Sequence, residues 1–79
     1  MDKLSRLKEI FSDLFGDENK IKDINEQTRF TEDLGMNSIA MLSMAISIED
    51  EFGIKFQNED LKNLNTVGDV IQCISAKQA

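Results

Sequence analysis

Seventy-nine residues allow one domain over 1–79, and a chain this short buries only about three fifths of its unfolded surface, so stability should be modest. Nine basic against fifteen acidic side chains leave a net charge of −6, which argues against nucleic acid and for basic protein surfaces as partners. The absence of histidine and the single Cys73 remove the commonest general base and metal ligand, and with them any internal disulfide or multi-cysteine zinc site.

The hydrophobic fraction of 41% without proline, tryptophan or tyrosine favours an all-α fold, which the elements taken in chain order below resolve into a small four-helix bundle, three longer helices and one short, with a long loop between the first two. No stretch combines a basic start with a signal-length apolar run, and none approaches a membrane span, so a cytoplasmic protein is expected. Asp2 caps a first helix whose Leu4, Leu7, Ile10, Phe11 and Leu14 follow three-four spacing and which Gly16 ends. From Gly16 to Asn37 the chain is polar, with a local charge of −3. Long structureless loops are uncommon in compact domains, so Ile21, Ile24 and Phe30 should tack this segment across the bundle. Asp17 to Lys20 reads as a turn or short helical start rather than a metal site.

The second helix is predicted from Ser38 to Phe52, with Gly35 supplying a turn, Asn37 the N-cap and Gly53 the C-cap. At about 100° per residue, Met41, Met44, Ala45, Ile48 and Phe52 share one sector, which should face the core. Ile39, Leu42 and Ile46 form a second apolar sector that core packing does not need. Two fates are open to it: residues 17–30 fold over it, or it docks transiently to partner proteins. Ile54 and Phe56 then return to the core, Asn58 caps a short helix containing Leu61 and Leu64, and Thr66 to Asp69 form a capping-box variant. The last helix places Val67, Val70, Ile71 and Ile74 inward, with Cys73 at the flank as a partly buried small hydrophobe.

Ser38 stands where unpaired N–H groups and the positive end of a helix dipole favour a phosphate ester, although a serine at a helix start also serves as a plain cap. It has no resident base, the nearest preceding carboxylate being Asp33 in the loop, so it is a poor nucleophile and is suited to being a substrate. The carboxylates Glu32-Asp33 and Glu49-Asp50-Glu51 lack catalytic or metal-loop spacing, and the chain does not read as an enzyme.

Phe30-Thr31-Glu32-Asp33-Leu34-Gly35-Met36-Asn37-Ser38-Ile39, followed by Ile48-Glu49-Asp50-Glu51-Phe52-Gly53, resembles the acyl carrier protein family. That family's pattern is Asp-Leu-Gly, one variable residue, then Asp-Ser-Leu, with an acidic triplet before Phe closing the second helix. The likeness covers essentially the whole chain. It implies that Ser38 carries a covalent 4′-phosphopantetheine arm whose thiol holds acyl groups as thioesters, in fatty acid, polyketide or specialised lipid synthesis. It also implies a monomer that meets a phosphopantetheinyl transferase and acyl-loading, synthase and acyl-transfer enzymes with basic docking surfaces. Asn37, Ile39, Leu42, Ile46, Glu49 and Asp50 are the expected docking residues. Housekeeping members commonly carry acids at the positions of Asn37, Ala40 and Ser43; all three are neutral here, which favours a specialised carrier. Met41 and Met44 offer adaptable contacts to a short acyl chain or simply fill the core. An aminoacyl or D-alanyl carrier shares these features, and an unmodified acidic interaction domain is the reading from a different class.

Overall fold

The computed structural model describes residues 2–16 and 21–78; the expected turn at Asp17 to Lys20 lies outside them. Four helices follow in order among the described residues: α1 (Lys3–Phe15), α2 (Ser38–Phe52), α3 (Asn58–Lys62) and α4 (Val67–Gln78). Their ends obey the local chemistry. Asp2 accepts the Ser5 N–H at 2.7 Å, and Gly16 closes α1 in the left-handed region at φ 66°, its N–H bonded to Ser12 O. The Thr66 hydroxyl accepts the Asp69 N–H at 3.1 Å while the Asp69 carboxylate accepts those of Thr66 and Asn65 at 3.0 Å, so α4 opens on a complete reciprocal box.

The core is one cluster drawn from every segment. Leu7 and Phe11 of α1, Met44 and Ile48 of α2 and Val67, Val70 and Ile74 of α4 are fully enclosed, and Phe30 meets the Phe11 ring edge-on at 6.0 Å. The connection before α2 is tacked down as expected: Ile21, Ile24 and Phe30 are buried, joined by Leu34 and Met36. Backbone pairing adds to this. Phe30 N–H bonds to Asn65 O, and the first N–H groups of α4, those of Val67 and Gly68, bond to Thr28 O and Glu26 O at 3.0 and 2.8 Å. The loop carbonyls thereby satisfy donors that a helix start leaves without partners.

Five local expectations need correction. Leu14 lies exposed, and Phe15 packs in its place with its ring 6.2 Å from Phe11, because the apolar stripe rotates toward Phe15 at the last turn. The N-cap of α3 is Gln57 rather than Asn58, since the Asp60 carboxylate takes the Gln57 N–H at 2.8 Å and pulls the helix start back by one residue. Leu64 belongs to the core but lies beyond the end of α3 at Lys62. Met41 and Ile71 are half-buried rather than enclosed, packing on the edge of the core cluster. Cys73 is half-buried at the flank of α4, as its position predicts, and burial pushes its thiol pKa up.

Candidate functional site

The approach to α2 is a single tight turn. Asp33 N–H and Leu34 N–H both bond to Arg29 O, Gly35 N–H bonds to Thr31 O, and Met36 N–H returns to Phe30 O at 3.0 Å. Gly35 sits at φ 66°, a region that a residue with a Cβ rarely enters. Since Phe30, Leu34 and Met36 are buried, the turn is bolted to the core, and the residues after it leave in one direction. Asp33 belongs to this turn. Its carboxylate accepts the Arg29 N–H at 2.8 Å, which, with its ion pair to the Arg29 guanidinium, holds its pKa below the usual range. It is thus a bracket for the turn and not a base for Ser38.

Asn37 follows in extended conformation, and its side-chain oxygen accepts the Ala40 N–H at 2.9 Å. Ser38 is the first helical residue and is exposed. Among the described residues, neither Ser38 N–H nor Ile39 N–H has a protein acceptor. An anion ester-linked to Ser38 Oγ would meet these two donors and the positive end of a fifteen-residue helix. Beside Ser38 an open groove of about 680 Å³ is walled by Thr31, Met36, Asn37, Met41, Leu42 and Leu61. An exposed hydroxyl, two available amides and an adjoining apolar groove fit a phosphopantetheine arm.

Along the outer face of α2, Ile39, Leu42 and Ile46 are 76%, 54% and 58% exposed. Of the two fates open to it, cover is not what residues 21–30 provide: the stripe stays exposed. Ser43 is exposed beside it, whereas Ala40 packs against the core and is half-buried. The acidic triplet is divided by its contacts. Glu49 is half-buried and accepts the Phe56 N–H at 2.7 Å, closing the turn in which Gly53 takes φ 67°. Glu51 pairs with Arg6 at 2.8 Å, and the same guanidinium lies 4.5 Å from the centre of the Phe52 ring. Asp50 is exposed and, among the described residues, has no ion pair. Glu49 bonds to a partner seven residues on and Glu51 to one 45 residues away, and no sequence signal announces either duty.

Among the described residues no group of three His, Cys, Asp or Glu could hold a metal ion, and no helix is long and apolar enough to cross a membrane. Among the described residues the fold is a small helical scaffold that presents an exposed serine at the start of α2. Comparison with known proteins is specific on this point: the family described as "Phosphopantetheine attachment site" matches residues 5–74. The chain is similar to the acyl carrier protein of Micrococcus luteus, 39% identical over 57 residues that cover 72% of this chain and 70% of that protein. It is similar also to the acyl carrier protein of Thermotoga maritima, 34% identical over 74 residues, with 92% and 88% covered. In fold it resembles the solution structure of the apo doublet acyl carrier protein from prodigiosin biosynthesis, with a TM-score of 0.76 at 22% identity, covering 94% of this chain and 35% of that longer one. The chain belongs to the acyl carrier protein family of phosphopantetheine-bearing proteins. Its role is that of an acyl carrier with a phosphopantetheine arm, and the family works with synthase and transferase enzymes without being an enzyme itself.

Proposed function

We propose that Ser38 is the residue that bears the arm, and that residues 1–79 form one cytoplasmic carrier domain serving a specialised acyl pathway, in polyketide or lipid synthesis, rather than housekeeping fatty acid synthesis. The observation that carries this reading is the exposed Ser38 at the start of α2, directly after the Asn37 cap and flanked by an apolar groove. With no histidine in the chain and Asp33 engaged by Arg29, Ser38 depends on a phosphopantetheinyl transferase for base and metal. Once attached, the arm supplies a thiol that holds acyl groups as thioesters. The chain's own part is to present and to be recognised. The Ser38 and Ile39 amides stabilise the phosphodiester, while Met41, Leu42 and Leu61 line the groove that shelters a short apolar chain.

Recognition is assigned to the exposed stripe of Ile39, Leu42 and Ile46, rimmed by Asn37, Glu49 and Asp50. An apolar stripe of this kind suits a transient partner that buries it on docking. Loading, synthase and acyl-transfer enzymes would place a basic group near Asp50. The neutral Asn37 and Ser43 reduce electrostatic steering and so the association rate more than the docked contact itself, which supports a specialised set of enzymes. The test is intact mass after incubation with coenzyme A and a broad transferase. The parent gains one phosphopantetheinyl group and Ser38→Ala gains none. An unchanged parent mass across several transferases, or addition surviving in Ser38→Ala, overturns the assignment.

A further inference from the structure

The start of α4 is built against the segment that leads to Ser38. Arg29 and Thr66 form an antiparallel bridge, Phe30 N–H bonds to Asn65 O at 3.0 Å, and the N–H groups of Val67 and Gly68 bond to Thr28 O and Glu26 O. Arg29 and Phe30 are also the footing of the turn before Ser38. Arg29 O takes the Asp33 and Leu34 N–H groups, and Phe30 O takes that of Met36 at 3.0 Å. The same two residues thus serve both junctions. The buried side chains of Phe30, Leu34 and Met36 set the depth of the turn, but apolar packing is non-directional, so the register of the turn falls to these hydrogen bonds.

One carboxylate fixes the α4 side of the junction. The half-buried Asp69 accepts, through Oδ2, the N–H groups of Asn65 and Thr66 at 3.0 Å, and the Thr66 hydroxyl accepts the Asp69 N–H at 3.1 Å. Asn65 and Thr66 are the residues paired with Phe30 and Arg29. We propose that Asp69 is a positioning residue for Ser38: it sets Asn65 and Thr66, these set Phe30 and Arg29, and the turn built on that pair sets where the Ser38 hydroxyl stands for phosphopantetheinyl transfer. The proposal rests on the reading of Ser38 as the arm-bearing residue. A reacting hydroxyl held off its attack geometry loses rate rather than docking strength, and the exposed stripe of α2 takes no part in the junction.

Amide hydrogen exchange at Phe30 and Met36, read beside kcat and KM for modification by a broad transferase and coenzyme A, tests this. Asp69→Ala should speed exchange at both amides by roughly two- to tenfold, the factor carried by one hydrogen bond, and lower kcat by a like factor with KM for the carrier unchanged. Asp69→Asn keeps an acceptor oxygen and should stay close to the parent. Gly68→Ala, whose Cβ would meet Glu26 O at 3.0 Å, strains the same junction and carries the same expectation should Asp69→Ala not fold. Asp2→Ala is the control: it removes the cap of α1, and among the described residues Asp2 bonds only within that helix. Parent-like exchange at Phe30 and Met36 in Asp69→Ala and Gly68→Ala overturns the proposal, and so does faster exchange with kcat unchanged. A kcat loss matched by Asp2→Ala would mark general destabilisation, and one matched by Asp69→Asn would mark charge; either result overturns it as well. Failure of the Ser38 reading would appear separately, as a parent protein that gains no mass or gains it elsewhere.

Discussion

Truncating Ile48 and Leu42, six residues apart on one helix, separates the core of this carrier from the exposed stripe proposed as its recognition face. Ile48 is completely enclosed, whereas Leu42 is 54% exposed. Emptying an Ile site to Ala costs about 2–5 kcal/mol. At about 0.05–0.15 kcal/mol per residue, a chain of this length has roughly 4–12 kcal/mol in total, so Ile48→Ala removes a large share. A loss of about 3 kcal/mol lowers the melting temperature by roughly 12–24 °C for a domain of this size. Full burial of a leucine is worth about 1.5–3 kcal/mol, and Leu42 is less than half buried, so Leu42→Ala loses about 1 kcal/mol, offset by a small gain in helix propensity. Its melting temperature should fall by less than about 6 °C. Modification by the transferase should nevertheless slow several-fold, because the truncation removes apolar surface that a docked partner would bury. Urea melts paired with modification rates decide the matter. Destabilisation of Leu42→Ala equal to that of Ile48→Ala, or an unaltered modification rate, would refute the division of α2 into two faces.

Restoring charge at Asn37→Asp with Ser43→Glu should speed modification by a transferase with a basic socket, chiefly through association and chiefly at low salt, as rates measured across a salt series will show. Gly68→Ala should destabilise by about 1–2 kcal/mol in urea melts despite its helical position, because the new Cβ meets Glu26 O at 3.0 Å and that carbonyl is held by the Gly68 N–H itself. The Asp2, Asp33 and Asp60 carboxyls are held below their ordinary value of 3.8, Asp2 and Asp33 mainly by the backbone N–H groups of Ser5 and Arg29, Asp60 first by Lys77. The stability they lend is therefore present above that value and is lost as pH falls through their lower folded values. Urea midpoints should be flat above about pH 5 and drop steadily below about pH 4, and Asp33→Asn should flatten the drop.

The starts of α1, α2 and α4 were legible because capping chemistry is local. Asp2, Asn37 and the Thr66-Asp69 pair each bond to an amide three residues away in sequence, so their signatures lie within a short window. The exposed Ser38 and the two faces of α2 followed from the same local rules plus periodicity. The pairing of 26–30 with 65–68 had no such signature, being built from backbone groups alone: Phe30 N–H to Asn65 O, Val67 N–H to Thr28 O, Gly68 N–H to Glu26 O. Any residues with extended backbone could supply those bonds. Gly68 was its one trace, a glycine inside a helix where alanine would ordinarily serve better.

The acidic triplet shows the limit most clearly. From sequence, Glu49, Asp50 and Glu51 are equivalent charges at a helix end; in the fold Glu49 fastens Phe56, Glu51 holds Arg6, and Asp50 alone of the three is exposed without an ion pair among the described residues. Which carboxylate is spent on structure depends on where α1 and the Gly53 turn bring their donors. That is a tertiary fact. The same holds for Asp60, whose reach to Lys77 spans seventeen residues of chain.

α2 carries three serines, Ser38, Ser43 and Ser47, so the most direct measurement is localisation of the attached group by fragmentation of the modified protein. After reaction with coenzyme A and a broad transferase, the fragment series should carry the phosphopantetheinyl mass from Ser38 onward and on no other residue. Modification found at Ser43 or Ser47, or a chain left unmodified by every transferase tried, would contradict the claim that the exposed hydroxyl at the start of α2 is the attachment point.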